Sequence, residues 1–260
     1  MPLAPLRDSG QTVTPVFEGW YQNPDGSYSL SFGYYNRNTQ EVLDIPIGPH
    51  NFITPGRPNA GQPTRFAPRR HWGVFAVTVP KEFGTQRVVW TLVMRRDTFS
   101  IPGSLKPGWE IDALEGEAGS GNTPPVLRFD FPAGRGLEAR GPGGITVGPL
   151  TATVGMPLTL TLWATDDGKA VGNIGSGGRE GVPVTLTWFV HQGPTGAEVR
   201  FGNSTPAVDR VESKATTTAT FATAGEYLLR VRANDASGVV NGGHAQCCWT
   251  NGFVKVKVTQ

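Results

Sequence analysis

The run Ala215 to Asp235, ATTTATFATAGEYLLRVRAND, constrains this chain more than any other stretch. Thr217, Ala219 and Phe221 share one parity before a short Ala-Gly turn; Tyr227, Leu229, Val231 and Ala233 share one after it. Successive side chains of extended backbone point to opposite faces, so each set lines one face of a strand. The spacing predicts a β-hairpin with a buried face, around which the strands from about Leu150 onward pack. No window carries a sustained 3.6-residue apolar period, and 35 Gly and 22 Pro suit many short strands joined by tight turns.

A chain of 260 residues is long enough for two cores. The expected division is an extended arm over 1–13, a β-sandwich over 14–115, a Gly/Pro-rich connector over 116–148 and a second β-sandwich over 149–260. The fold class is therefore all-β, two tandem β-sandwich domains. In the first, Asn23-Pro24-Asp25-Gly26 between two alternating runs predicts a hairpin, since Pro presets φ and Gly takes the positive-φ position. Its second strand sets Tyr28, Leu30, Phe32 and Tyr34 against a small-residue face of Ser27, Ser29, Ser31 and Gly33. A third strand is expected over 41–47, a long irregular segment over 48–68 stiffened by five prolines, and further strands over 71–79, 87–95, 98–101 and 109–113. Within the connector, Val126 to Phe131 alternates and is expected to add an edge strand to one domain or the other.

Trp188, Gly193-Pro194, Val199, Phe201, Ala219, Phe221, Gly225-Glu226-Tyr227, Leu229, Val231 and Asp235 carry a resemblance. The stretch from about Ile145 to Val258 resembles the immunoglobulin-like PKD family, in its receptor-for-egg-jelly-like variety. Phe189-Val190-His191-Gln192 stands where that family usually has an Asp-Phe-Gly-Asp-Gly turn. The resemblance implies an immunoglobulin-like second domain and an extracellular, non-catalytic spacer or recognition module. The first domain resembles only uncharacterised exported bacterial proteins, which implies no activity.

If the second domain is immunoglobulin-like, the loops after Asp166 and after Asp235 leave the same end of the sandwich. That pole gathers Asp166, Asp167, Arg179, Asp235, His244, Cys247, Cys248 and Trp249 as candidate binding residues; the alternative is that both loops merely pack. Three readings of Cys247-Cys248 stand side by side: a vicinal disulfide forming a rigid plate beside Trp249, two buried thiols, or a soft-metal site with His244. Asp166, Asp167 and Asp235 offer hard oxygens for Ca2+, although Asp at a strand end more often caps a turn. No cofactor is therefore expected. Trp20, Tyr21, Tyr34 and Tyr35 on the opening hairpin are a second candidate surface, for sugar rings or for an identical copy.

For catalysis the inventory is thin. None of the four His sits in a recognisable Ser, Cys or carboxylate setting. Glu110 and Asp112, two apart on an expected strand, are a weak hydrolytic pair, and Gly175 to Gly178 reads as flexible loop rather than a phosphate cradle. Asn203-Ser204-Thr205 fits the N-glycosylation sequon. A formal charge of +2 gives no nucleic-acid footprint, and the Arg65, Arg69, Arg70, His71 cluster reads as a solvated strand entrance. No run approaches the ~20 apolar residues of a membrane span. The first ten residues lack a signal peptide's pattern, which fits either a cytosolic protein or a mature exported chain with Met1 in place of a removed leader; Thr-rich strands with few Lys and few Met favour the second. The functional expectation is a secreted or surface-displayed structural or recognition protein, not an enzyme, whose partner is another protein or copies of itself. A carbohydrate-binding module is the alternative and a metal-binding protein or hydrolase the third.

Overall fold

The computed structural model describes residues 6–115, 121–169, 184–208, 212–235 and 247–260, and among them every regular element longer than one helical turn is a strand. The chain divides into two units, Met1–Glu110 and Ile111–Gln260.

In the first unit β1 (Val13–Gln22), β2 (Tyr28–Asn36) and β6 (Arg69–Val79) form one antiparallel sheet, in the order β1-β2-β6. The β1/β2 turn closes as its residues require. Gly26 takes φ +84° and donates to Asn23 O, while Asp25 accepts from both the amide and hydroxyl of Ser27. A second sheet runs β4-β7-β8, from β4 (Asn51–Thr54), β7 (Val88–Met94) and β8 (Asp97–Gly103); β3 (Leu43–Asp44) and β5 (Arg65–Phe66) make a short pair. Phe32 of β2 and Phe75 of β6 stack at 5.5 Å, and the Trp90 ring of β7 meets Phe75 edge-on at 5.0 Å, so the aromatic rows of the two sheets form the core. Each such buried ring contributes roughly 1.5–3 kcal/mol.

Four local readings change here. The segment over 48–68 is not irregular throughout: it contains β4 and β5, held from inside by Asn51. Asn51 Nδ2 donates to Ile45 O (2.9 Å) and Pro63 O (2.7 Å), and its Oδ1 accepts from Trp90 Nε1 (3.0 Å). The strand expected over 109–113 is instead a 3₁₀ turn, Pro107–Trp109, followed by a single bridge from Glu110 to Trp20, so Glu110 and Asp112 do not share a strand face. The small-residue face of β2 is covered, with Ser29 and Ser31 buried. The arm is pinned from Arg7 onward by the 36–41 turn: Thr39 N donates to Arg7 O, Glu41 N to Asp8 O and Gln11 N to Asn38 Oδ1.

The second unit is a sandwich of two five-stranded sheets. One runs β10-β9-β12-β16-β14, from β9 (Val126–Phe129), β10 (Glu138–Ala139), β12 (Pro157–Thr165), β14 (Val199–Phe201) and β16 (Glu212–Phe221). The other runs β11-β18-β17-β13-β15, from β11 (Ile145–Thr153), β13 (Val184–Gln192), β15 (Ala207–Val208), β17 (Gly225–Asp235) and β18 (Trp249–Thr259). β11 pairs parallel to the last strand, β18, while β9 pairs with β12 in the opposite sheet. The leading segments of this unit are thus shared between both sheets, as in immunoglobulin-like sandwiches. Residues 121–148, read from sequence as connector, carry β9, β10 and the start of β11.

The organising run itself is not a hairpin. β16 pairs with β12 and β14, whereas β17 pairs with β13 and β18, so the Ala-Gly turn passes from one sheet to the other. Both parities are buried because both strands face the same interior: Ala219 and Phe221 from one side, Tyr227, Leu229, Val231 and Ala233 from the other. The corner is built by Tyr227, whose hydroxyl donates to Thr223 O at 2.7 Å, the tyrosine corner of this architecture. Gly193 and Gly225 allow it. A Cβ at Gly193 would stand 2.9 Å from the Tyr227 ring, and one at Gly225 2.6 Å from Pro194.

Candidate functional site at the loop pole of the second unit

Pairing fixes which ends lie together. Asp235, the last residue of β17, pairs with Val184, the first of β13, and β18 begins opposite Asn234 with Trp249. In the other sheet Thr165, the last of β12, pairs with Val126 and Glu212. The connections 166–183 and 236–248 are therefore rooted at one end of the sandwich. Arg179 and His244 lie outside the described residues, as does the Gly175 to Gly178 run.

The described pole residues converge on a segment the sequence reading overlooked, 121–125. Asn122, fully buried, donates from Nδ2 to Asp235 Oδ2 at 2.9 Å. Asp167 Oδ2 accepts from the amide and hydroxyl of Thr123 at 2.9 and 3.0 Å, and its Oδ1 accepts from Lys169 N. Lys169 Nζ reaches Gly121 O at 2.9 Å. Thr250 Oγ1 donates to Pro125 O and accepts from Gly141 N, while Asn251 Nδ2 donates to Pro142 O at 2.7 Å. Asn122-Thr123-Pro124-Pro125 immediately before an alternating run was the available signal: two prolines bring an extended chain into a strand and leave the Asn and Thr before them to bond sideways.

Asp166 and Asp235 are buried, at 7% and 2% exposure. Asp166 Oδ2 caps its own turn by accepting from Gly168 N, but Oδ1 is buried with no hydrogen-bond partner among the described residues. Burial pushes its carboxyl up to about 6; the Gly168 bond opposes this, and the nearby charges of Asp235 and Asp167 add to it. At Asp167 burial also acts upward, but the bonds from Lys169 and Thr123 together outweigh it and hold the carboxyl below its ordinary value. These acids serve as turn caps and strand ties. Among the described residues no group of three or more His, Cys, Asp or Glu is placed to share a metal ion.

Of the three readings of the cysteines, the structure has the vicinal disulfide: Cys247 and Cys248 are bonded to each other. Their sulfurs lie 3.8 and 3.6 Å from Asn122 O, and Cys248 O accepts from Asp235 N at 3.2 Å. Cys248 and Trp249 are each 1% exposed, Cys247 half-buried.

The hairpin aromatics do not form an open platform. Trp20, Tyr21 and Tyr34 are buried and only Tyr35 is half-buried. Trp20 Nε1 donates to Lys106 O, and Tyr34 lies flat on His71 at 4.8 Å while its hydroxyl accepts from Ala67 N. Parity predicted some of these rings outward, but both sides of this sheet are covered. The basic cluster beside them is likewise committed to the fold. Arg70 Nη2 donates to both Glu18 oxygens at 2.8 and 2.7 Å with the Trp72 ring 3.7 Å above its guanidinium, Arg65 pairs with Asp44, and Arg69 lies over Tyr35.

No protein-family model and no curated protein matches the chain. Among solved structures it is similar to domains 4 and 5 of the S-layer protein SbsC (14% identity, 96% of this chain and 98% of that one, TM-score 0.24). It is also similar to the D0-D1 domain of Intimin (12% identity, 96% and 98%, TM-score 0.27). At such scores the superpositions are too loose to transfer any property. No described helix is long and apolar enough to cross a membrane.

Proposed function

We propose that this chain is a non-catalytic structural or recognition protein, displayed at the cell surface or secreted, that acts by contact with another protein, a second copy of itself being the simplest partner. The observation that carries the reading is the construction of the pole. Its acids and sulfurs are spent on fixing the backbone around 121–125, and that rigid base holds both ends of the two long connections 166–183 and 236–248. Connections rooted on a rigid sandwich are where binding resides. A disulfide fits an oxidising compartment, which supports the extracellular placement. The residues that resemble the PKD family, Trp188 and Gly193 through Asp235, are those that build this core and its corner, and that family's members are extracellular spacers or recognition modules.

Sedimentation equilibrium over a wide concentration range tests the contact role. The expected outcome is reversible self-association that is lost when 170–182 is replaced by a short Gly-Ser linker, with the thermal melt unchanged. A strict monomer at the highest concentration, for both proteins, contradicts self-contact.

A further inference from the structure

The pole holds the chain's only two cysteines, already joined to each other, so neither has another thiol in the chain to exchange with. They differ in access: Cys247 is half-buried and Cys248 is 1% exposed. Around them runs a closed set of contacts. Asp235 N donates to Cys248 O, Asn122 Nδ2 donates to Asp235 Oδ2, and Asn122 O lies against both sulfurs. The disulfide thus fixes the two residues just before β18, against which Asn122, in the lead into β9 of one sheet, and Asp235, at the end of β17 in the other, are seated.

We propose that Cys247–Cys248 is a redox latch on the pole, opened by a dithiol reductant and closed by reoxidation. The proposal rests on reading this pole as the contact end. One thiolate of the dithiol attacks Sγ of Cys247, the less buried of the two residues, and forms a mixed disulfide, while Cys248 leaves as a thiolate and takes up a proton. The second dithiol sulfur then attacks the mixed disulfide. Cys247 leaves and is protonated, and the reductant departs as a cyclic disulfide. Two electrons and two protons pass to the protein, and two thiols replace one S–S bond. Opening removes the ring that holds the Cys248 carbonyl under Asp235 N, and with it the fixed seat of Asn122. The contact end is rigid when oxidised and loosened when reduced, without unfolding either sheet.

The test is thiol titration of the native 260-residue chain combined with hydrogen exchange read by mass spectrometry on peptides covering 121–126, 232–235 and 247–252. Without reductant no thiol titrates; after dithiothreitol two do. Exchange at these peptides rises on the order of tenfold or more in the reduced protein, the signature of local opening. Peptides from β2, β6 and β12 keep their rates. The Cys247→Ser/Cys248→Ser variant shows the fast pattern in either condition, and reoxidation restores the slow one in the natural chain alone. Two thiols titrating before any reductant, or equal exchange in the two redox states, overturns the latch. Neither result depends on partner binding, so the latch can fail while the contact role stands, and the sedimentation experiment can fail while the latch stands.

Discussion

Asp166 carries a desolvation cost at the pole because one of its oxygens is buried without a hydrogen-bond donor among the described residues. Its folded-state pKa of about 6 lies above the ordinary 3.8, so the folded protein binds this proton more tightly than the unfolded chain does. Stability contributed here is present at low pH and falls as pH rises from about 4 to about 6. Asp166→Asn retains the Gly168 bond and removes the charge. It is expected to stabilise the second unit by on the order of 1–3 kcal/mol above pH 6 and to make no difference below about pH 4; urea melts at pH 4, 6 and 7.5 check this, and a loss at pH 7.5 contradicts it. Glu18 is the counterpart in the first unit. Burial raises its pKa despite Arg70, and the pair fits only because Gly33 beneath it has no side chain. Glu18→Ala leaves the Arg70 charge uncompensated and is expected to cost about 3–5 kcal/mol, measured by denaturant melting. Glu18 and Asn122 do not announce their roles in the sequence. Glu18 sits in a register shift between Phe17 and Gly19, where alternation assigns no face, and Asn122 sits in a stretch whose composition reads as linker.

Strands were legible wherever one face alternates, as in β2, β12, β16 and β18. Pairing was less so, because parity says which side chains point inward but not which neighbour a strand bonds to. The turn between β16 and β17 has hairpin length and hairpin parity, yet Tyr227 and the Pro194–Gly225 contact carry the chain across the sandwich. Tyr227→Phe removes that single bond and is expected to cost about 0.5–1.5 kcal/mol. Gly225→Ala, which collides with Pro194, should cost more, and paired chemical melts rank the two. β4 was hidden because it is four residues long, opens on an Asn and lies among prolines. Asn51→Ala strips three buried hydrogen bonds at once, and a loss of about 3 kcal/mol or more in the first unit is expected. A melt shifted by less than a degree contradicts Asn51 as the pin of that segment.

For the whole molecule, binary patterning with abundant Gly and Pro sufficed for the all-β class, while the immunoglobulin type of the second sandwich was what the family resemblance implied. The candidate pole was legible as a set of loop ends, but its inner wall was not, because that wall comes from residues more than a hundred positions away in the chain. The edges of the second sandwich are short strands, β10, β14 and β15, or carry a register shift, as β11 does; edges of this kind discourage strand addition and favour contact through loops. Residues 111–260 should also fold alone, with a cooperative melt and the exchange protection they show in the full chain. Hydrogen-exchange footprinting of the full chain at dilute and at self-associating concentration locates the contact directly. The result expected is added protection confined to peptides spanning 164–185 and 234–250. Protection on the Thr-rich outer face of β12 and β16, or along β8, with the pole unchanged, would contradict a contact made at the loop end.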